Sequence, residues 1–173
     1  MITGPSEGGI GAETALTLAV GSPKLIILAG RSLSKIKPLI DNINSAHPNV
    51  ATTYIPLDLG SQASVRQAAT AISASVEKID IVINNAAIMA CPFSKTEDGI
   101  ESQFGTNYIG HFLLTNLLME KILAAGHGSR IVNVSSSAHR MADVRIDDWN
   151  FEVNPIYRTI KSEKRIQQLA IPI

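Results

Sequence analysis

The sequence predicts an α/β domain built on an open, doubly wound parallel sheet. Short apolar runs alternate along the chain with longer segments of helical periodicity, which is the β-α-β-α rhythm of such sheets. A glycine-rich turn, residues 3–11, stands directly before the first helical segment. The composition, 45% hydrophobic and 17% charged, is typical of a globular protein. In sheets of this class, ligands bind at the carboxyl ends of the strands.

Strands and helices are predicted in strict alternation. Four apolar runs are the predicted strands: Leu25–Ala29, Thr52–Leu57, Ile81–Asn84 and Ile131–Val134. All but the second are nearly continuous in apolar residues, as expected of parallel strands covered on both faces. Segments of helical period predict five helices: Ile10–Val20, Lys35–Ala46, Gln62–Lys78, Asp98–Ala125 and Ile156–Ala170.

Capping residues support the boundaries of the third and fourth helices. Ser61 is expected to cap the third helix, and Thr96, followed by two acidic residues, is expected to cap the fourth. Gly126 and Gly128 are expected to end the fourth helix.

The two ends of the chain lead us to expect a single partial domain over residues 1–173. Residues 1–3 alone precede the glycine turn, whereas a strand usually has about five residues, so the first strand is expected to be clipped. Residues 171–173 alone follow the last predicted helix, so the C-terminal strands and a substrate lid are expected to be missing. The Ile131–Val134 strand would then present an unpaired apolar edge.

Composition and charge exclude several classes of function. Fifteen basic residues balance fifteen acidic ones, which leaves no excess positive charge for nucleic acid. No apolar run approaches the ~18 residues of a membrane span. The single cysteine, Cys91, excludes a disulfide framework. Because the four histidines are scattered along the chain, a metal site is not expected either. These observations predict a cytoplasmic protein. They leave open an oligomer and an association with a membrane through missing segments.

The glycine-rich turn predicts a phosphate-binding site. Gly4, Gly9 and Gly11 allow the backbone to approach an anion, and the following helix offers free N–H groups at its N-terminus. A plain connecting turn is the alternative. The turn is expected at the floor of a cleft shared by the first helix and the Ile81–Asn84 strand.

The residues after the Leu25–Ala29 strand predict which dinucleotide binds. Arg31 and Ser32 stand where dinucleotide-binding folds place the group that meets the adenosine ribose, and no acidic residue is present there. An arginine at this position suits a 2′-phosphate, so NADP is expected and NAD is less favoured. The alternative is that Arg31 is a solvated loop charge.

Several motifs follow one another in a fixed order from residue 3 to about residue 137. They are Thr3-Gly4…Gly9-Ile10-Gly11, Asp58-Leu59, Asn84-Asn85-Ala86, Asn107 and Ile131-Val132-Asn133-Val134-Ser135-Ser136. In this order they resemble the short-chain dehydrogenase/reductase family. Residues 84–92, 96–101 and 107–112 are similar to its retinol dehydrogenase branch and to the WW-domain oxidoreductases. The resemblance implies a Rossmann-type fold that binds NAD(P).

The resemblance also implies which residues hold the cofactor. Pyrophosphate would lie on the turn formed by Gly4, Gly9, Ile10 and Gly11. Adenine would lie beside Asp58 and Leu59, and the cofactor would pass along Asn84 and Ala86. The family usually has glycine where this chain has Ala87, and the Ala87 methyl would crowd the cofactor if φ there were positive.

The catalytic set implied by the resemblance is Asn107, Ser136, Tyr157 and Lys161. Tyr157 would exchange a proton with the substrate, and Ser136 would hydrogen-bond the substrate oxygen. A free phenol has a pKa of ~10, so Lys161 would lower the pKa of Tyr157 as well as hold the nicotinamide ribose. Asn107 would orient Lys161 through a water molecule.

These expectations point to an NADP-dependent oxidoreductase that interconverts a carbonyl and an alcohol by hydride transfer. By resemblance the small-molecule substrate would be lipophilic. A second hypothesis is a truncated, catalytically impaired protein that binds a cofactor or a partner. A Rossmann-like methyltransferase is disfavoured because its chemistry does not require Asn107, Ser136 and Tyr157 together.

Three other features are given structural interpretations. His111 and His139 are expected to be satisfied structural histidines, and Cys91 a packed thiol beside the substrate cleft. The acceptor pattern for N-glycosylation at Asn133-Val134-Ser135 is discounted, because it lies in a strand predicted to be buried.

Overall fold

Five parallel strands form one sheet in the order β3-β2-β1-β4-β5. The computed structural model describes residues 1–89, 91–140 and 145–153. The strands are β1 (Ile2–Thr3), β2 (Leu25–Gly30), β3 (Ala51–Pro56), β4 (Ile81–Asn84) and β5 (Arg130–Asn133). The helices are α1 (Ile10–Val20), α2 (Leu33–Ala46), α3 (Gln62–Ser75), α4 (Ser102–Phe104), α5 (Gly110–Leu117) and α6 (Met119–Leu123). A π-turn, Gly105–Ile109, joins α4 to α5, and 3-10 turns cover Ser137–Arg140 and Ile146–Asp148.

The strand order reverses between β1 and β4. Ile2 pairs with Leu28 of β2 on one side and with Ile83 of β4 on the other. The chain leaves β1 toward β2 and β3, then returns to build β4 and β5 on the opposite side. In open parallel sheets, this switch point opens a crevice at the carboxyl ends of the strands, where ligands bind. The glycine turn that follows β1 lies at that crevice.

Apolar side chains cover the two faces of the sheet in two separate clusters. On one face α1 and α2 pack, and α1 contributes small residues, Ala12, Ala15 and Ala19, at helical spacing. On the other face α3, α5 and α6 pack, with Ile72 and Leu114 fully buried. The helices on both faces confirm the doubly wound architecture predicted from the alternating pattern.

Most predicted elements are present at or near their expected bounds. α1 and β4 have the predicted limits. The ends of five further elements differ from the prediction by at most three residues, namely β2, β3, β5, α2 and α3. The Ser61 hydroxyl accepts the Ser64 N–H at 3.4 Å, which confirms its predicted capping role. Gly126 and Gly128, both with positive φ, follow the end of α6 as predicted.

The predicted fourth helix, Asp98–Ala125, is wrong at its start and in its continuity. Thr96 is not its cap, because Thr96 and Gly99 form a tight loop in which the Gly99 N–H donates to the Thr96 carbonyl. The helical path begins only at Ser102. There the Glu101 carboxylate accepts the N–H groups of Gln103 and Phe104, at 3.0 and 2.7 Å. The π-turn and a break at Leu118 then divide the path into shorter helices.

The segment after β5 returns to the start of this helical path. Asn150 accepts the Glu101 N–H at 2.6 Å, and Trp149 lies against the Phe104 ring, with centroids 5.6 Å apart. Lys95 pairs with Glu152 at 2.6 Å. Residues 145–153 are therefore tied to α4 by apolar, polar and ionic contacts.

β5 differs from the prediction of a strand covered on both faces. Its apolar side chains are partly exposed: Ile131 by 39%, Val132 by 44% and the following Val134 by 41%. β5 pairs with β4 on one side, and no further strand adjoins it in the part of the chain that is described. The unpaired apolar edge expected from the sequence stays a prediction. Asn133 is also exposed, so the predicted burial of its glycosylation pattern is wrong.

One predicted helix, Ile156–Ala170, lies outside the described ranges, and Tyr157 and Lys161 lie outside them with it. Within them, the structure contains no helix that combines the length and apolar character needed to span a membrane.

Candidate functional site

The glycine turn packs directly against the carboxyl end of β4. Gly4 has φ +62°, and a Cβ added there would lie 2.7 Å from the Cβ of Ala86. A Cβ on Gly11 would collide with the Asn85 side chain. Both positions require glycine because a neighbouring residue lies too close for a Cβ, and Gly4 requires it also because of its positive φ. The predicted convergence of the turn, α1 and β4 is present in the structure.

The N-terminus of α1 has the free donors that an anion site needs. Gly9 precedes the helix, and no side chain caps it. The Gly9 carbonyl accepts the N–H groups of Ala12 and Glu13 at 3.0 and 3.2 Å, so the earlier amides of Ile10 and Gly11 are left for an outside acceptor. Together with the positive end of the helix dipole, they fit a phosphate group.

A first recess, here called the β2 groove, runs from the glycine turn across the ends of β2 and β3. It is lined by Gly4, Ser6, Ala29, Gly30, Arg31, Ser32, Lys35, Ile36, Leu57, Asp58, Leu59, Ala86, Ala87, Ile88 and Thr106. Its cationic side chains are Arg31 and Lys35, and its acidic one is Asp58. The Asp58 carboxylate accepts the Gly60 N–H at 2.9 Å, so it serves a local turn.

The two cations of the β2 groove are available to a ligand. Arg31 and Lys35 are exposed, and the three ion pairs among the described residues include neither of them. Ser32, beside Arg31, is half-buried, and its hydroxyl lies 2.8 Å from the Ser34 hydroxyl. The sequence identified Arg31 and Ser32 but not Lys35, which lies in the first turn of α2 and lines the same groove.

A second recess, here called the α5–β5 cleft, lies on the other side of the β4 end. It is lined by Ile10, Asn84, Asn85, Ala86, Ala87, Asn107, Tyr108, His111, Phe112, Thr115, Asn116, Met119, Ile131, Asn133, Val134, Ser135 and Ser136. It brings together five residues predicted for the site: Ile10, Asn84, Ala86, Asn107 and Ser136. Ala86 and Ala87 line both recesses, so the two adjoin at the end of β4.

Asn107 holds the chain beyond β4 in place. Its Oδ1 accepts the Ile88 N–H at 2.9 Å, and its Nδ2 donates to the Ile88 carbonyl at 2.9 Å. Both ends of the amide are thus used on Ile88, a residue that lines the β2 groove. The predicted link from Asn107 to Lys161 stays a prediction, because Lys161 lies outside the described residues.

Asn84 forms a polar network beneath the cleft. Its Nδ2 donates to Thr115 Oγ1 at 3.1 Å and to Asn133 Oδ1 at 2.8 Å. Its own Oδ1 is buried and has no hydrogen-bond partner among the described residues. The side chain is only 6% exposed. Asn84 therefore joins α5, β4 and β5 and keeps one unused acceptor.

Thr3 and His111 make contacts at the site that were not predicted from the sequence. The Thr3 hydroxyl oxygen accepts the N–H groups of Asn85 and Ala86 at 2.9 and 3.0 Å. His111 Nε2 lies 2.9 Å from the same oxygen, and Nδ1 lies 3.0 Å from the Asn107 carbonyl. The prediction of a satisfied histidine at 111 is confirmed. The sequence signal for Thr3 was its place as the first residue of the glycine-turn motif.

The electrostatic character of the α5–β5 cleft is nearly neutral. No Asp, Glu, Lys or Arg is among the described residues that line it. Burial lowers the pKa of His111 below its usual value, opposed by its hydrogen bond to the Asn107 carbonyl. His111 is therefore neutral at pH 7, and the cleft suits an uncharged group.

The geometry also bears on the smaller predictions made for Ala87, His139 and Cys91. Ala87 is not among the non-glycine residues with positive φ, so the condition for crowding by its methyl is not met. His139 Nδ1 lies 2.6 Å from the Ser136 carbonyl, which confirms a satisfied histidine. Cys91 is half-buried. Over the described ranges, no group of three His, Cys, Asp or Glu side chains could hold a metal ion.

Comparison with known proteins gives a consistent result. The family model of the short chain dehydrogenases matches residues 1–146. Retinol dehydrogenase 13 of Homo sapiens is 44% identical over 152 residues, which are 88% of this chain and 45% of that protein. The chain thus spans about half the length of the curated relatives it matches.

Solved structures agree with the sequence comparison. A protein from Mycobacterium Paratuberculosis matches with a TM-score of 0.70 and 37% identity, over 88% of this chain and 51% of that one. A structure described as a short chain dehydrogenase from Escherichia coli CFT073, complexed with NADPH, matches with a TM-score of 0.65 and 27% identity. That match covers 82% of this chain and 60% of the other.

Proposed function

The chain belongs to the short-chain dehydrogenase family of oxidoreductases, and on that premise we propose that it carries an NADP-dependent site for interconverting a carbonyl and an alcohol. The β2 groove is the observation that carries the choice of NADP. Arg31 and Lys35 border it without an acidic partner, whereas a site for NAD usually has a carboxylate on the ribose 2′-OH. A 2′-phosphate would meet two cations there.

The described residues fit the rest of the cofactor. The glycine turn and the free amides of Ile10 and Gly11 suit a pyrophosphate. Leu59 and Asp58 line the part of the β2 groove that suits an adenine. Ala86 lines both recesses, so a dinucleotide could extend from one to the other. The NADPH complex of the Escherichia coli relative supports the same cofactor class.

The cofactor would donate or accept the hydride, and the protein would supply geometry and proton transfer. In the oxidation direction, the carbinol carbon would give its hydride to the oxidised nicotinamide, and Tyr157 would accept the proton of the hydroxyl. Ser136, which lines the α5–β5 cleft, would hydrogen-bond the substrate oxygen. Lys161 would hold Tyr157 near its working pKa. Asn107 would keep Ile88, in the wall of the β2 groove, fixed.

A lipophilic substrate fits the lining of the α5–β5 cleft. Apolar side chains at Phe112, Met119, Ile131 and Val134 border it, and no ionic side chain is among its described lining. The similarity to a retinol dehydrogenase supports the same substrate class. A location in a reducing compartment stays a prediction from the single cysteine.

A second candidate function, cofactor binding without efficient turnover, is favoured by the exposure of β5. Ile131 and Val134 line the cleft yet are 39% and 41% exposed, so the described part of the chain leaves this wall open to water. Hydride transfer is most efficient where water is excluded. The two candidates therefore share the cofactor site and differ in turnover.

The test is turnover by the purified 173-residue chain. NADPH oxidation would be followed with a panel of long-chain and polyene aldehydes and ketones, with Ser136→Ala as the site variant and Ser137→Ala as its matched control. Turnover that the first substitution abolishes and the second spares supports the oxidoreductase proposal. NADPH binding without turnover supports the second candidate, and no binding of either dinucleotide contradicts both.

A further inference from the structure

His111 is hydrogen-bonded to two separate elements of the site. It begins the first turn of α5 and is buried against β1 and the π-turn. Nδ1 lies 3.0 Å from the Asn107 carbonyl oxygen, which can only accept, so Nδ1 carries the hydrogen. In the neutral ring, Nε2 is then an acceptor, and the Thr3 hydroxyl 2.9 Å away is its donor.

The Thr3 hydroxyl has no capacity left for another donor. Its oxygen already accepts the N–H groups of Asn85 and Ala86 at 2.9 and 3.0 Å, which uses both lone pairs. Its one hydrogen can go to His111 or, less well, to the Ile83 carbonyl at 3.5 Å. The neutral ring with hydrogen on Nδ1 is the form that satisfies all of these groups together.

We propose that His111, as the neutral tautomer with hydrogen on Nδ1, is a positioning residue for the loop Asn85–Ala86 and for the π-turn that carries Asn107. Through Thr3 it fixes the two amides at the end of β4, and directly it fixes the Asn107 carbonyl. The inference deepens the proposed function, because Ala86 lies where the two recesses meet. His111 itself need not touch cofactor or substrate.

Protonation of His111 would break this arrangement. A second ring N–H would point at the Thr3 oxygen, so one of the two loop amides would have to leave it. No charge would compensate the imidazolium, since β1, β4, the π-turn and α5 contain no Asp, Glu, Lys or Arg. Tyr108 is the other titratable side chain among the described residues of the cleft. Cofactor affinity should therefore fall at acid pH through His111.

The first arm of the test observes the ring itself. Nitrogen-15 spectra of the histidine side chains in the 173-residue chain would be recorded from pH 5 to 8, with His111→Phe to assign the signal. We expect the neutral form with hydrogen on Nδ1, persisting below the ordinary histidine pKa of ~6.5 because burial lowers the pKa of His111. A ring with hydrogen on Nε2, or a charged ring at pH 7, would overturn the proposal.

The second arm uses variants whose folding is checked by circular dichroism. His111→Phe and Thr3→Val remove the hydrogen bonds at similar volume, Thr3→Ser keeps the hydroxyl, and His127→Gln is the exposed control. The first two should move the amide resonances of Asn85 and Ala86 and weaken NADPH binding about tenfold, as expected for a lost hydrogen bond. Thr3→Ser and His127→Gln should leave the amide resonances and the NADPH affinity near those of the unmodified chain.

The two readouts separate this inference from the proposed function. Unmoved amide resonances in folded His111→Phe would overturn the positioning role, whatever the affinity for NADPH. Moved resonances in a chain that binds no NADPH would support the positioning role and contradict the proposed function instead. The acid loss of NADPH affinity should also disappear in His111→Phe, and its persistence would count against the inference.

Discussion

Arg31→Ala should remove most of the preference for NADPH over NADH. Arg31 borders the β2 groove beside Ser32, is exposed, and has no ion-pair partner among the described residues. The two dinucleotides differ only in the 2′-phosphate. A guanidinium can hold that phosphate through two parallel hydrogen bonds, whereas the unmodified ribose offers it only a hydroxyl.

The magnitude follows from the exposure of the arginine. A hydrogen bond to a charged group contributes ~1.5–3 kcal/mol, and solvent screening at an exposed position reduces this toward the lower end. A loss of about 1.4 kcal/mol corresponds to about tenfold weaker NADPH binding. Lys35→Ala, which removes a single point charge at the same groove, should cost less, about threefold. Affinity for NADH should stay unchanged in both variants.

The assay is dinucleotide binding by calorimetry at two salt concentrations, with Lys37→Ala as the matched control. Lys37 lies on the same helix as Lys35 but pairs with Asp41 at 2.7 Å and does not line the groove. The NADPH preference should shrink as salt rises, because exposed charges are screened. Equal loss of NADPH and NADH affinity in Arg31→Ala, or an equal effect of Lys37→Ala, would refute the assignment of the 2′-phosphate site.

Three further substitutions test the fold that positions the site, each by urea unfolding. Gly4→Ala should destabilise more than Gly8→Ala: both have positive φ, which costs about 1–2 kcal/mol, but only the first adds a Cβ 2.7 Å from a neighbour. Leu114→Ala, at a fully buried position, should cost about 2–5 kcal/mol, whereas Leu123→Ala, 69% exposed, should stay within about 0.5 kcal/mol. Glu101→Gln weakens the charged cap of α4 and should cost about 1 kcal/mol, and a stability unchanged from the parent would contradict that role.

The pH dependence of stability should include a contribution from His111. Burial lowers its pKa in the folded chain, so between its ordinary value of ~6.5 and that lower value the unfolded chain binds the proton first. Unfolding free energy should therefore fall as the pH drops below about 6.5. His111→Phe should flatten that part of the profile in equilibrium unfolding from pH 5 to 7.

Local patterns in the sequence were sufficient for elements whose signals are local. The apolar run Ile81–Asn84 and the helical run Ile10–Val20 are bounded by turn residues, and the structure has both with those limits. Ser61 was recognisable because its partner lies three residues away. The fold class followed from the alternation of such segments.

Features that depend on distant partners were not predictable in this way. The start of the fourth helical path is fixed by Glu101, whose own N–H is held by Asn150, 49 residues later. Burial of β5 was inferred from its apolar sequence, but burial depends on what packs against it, and the described part of the chain leaves it partly exposed. Likewise, Thr3 and His111 meet across 108 residues, so no local pattern could have shown their contact.

The most direct test of the central claim, a dinucleotide site at the carboxyl ends of β1, β2 and β4, is an NADPH titration followed by backbone amide chemical shifts. We expect the largest saturable changes at Ile10, Gly11 and Ala86. Changes concentrated at the opposite ends of the strands, around Leu25 and Ile79, would contradict it. So would an unchanged spectrum at NADPH concentrations that saturate a relative of the same family.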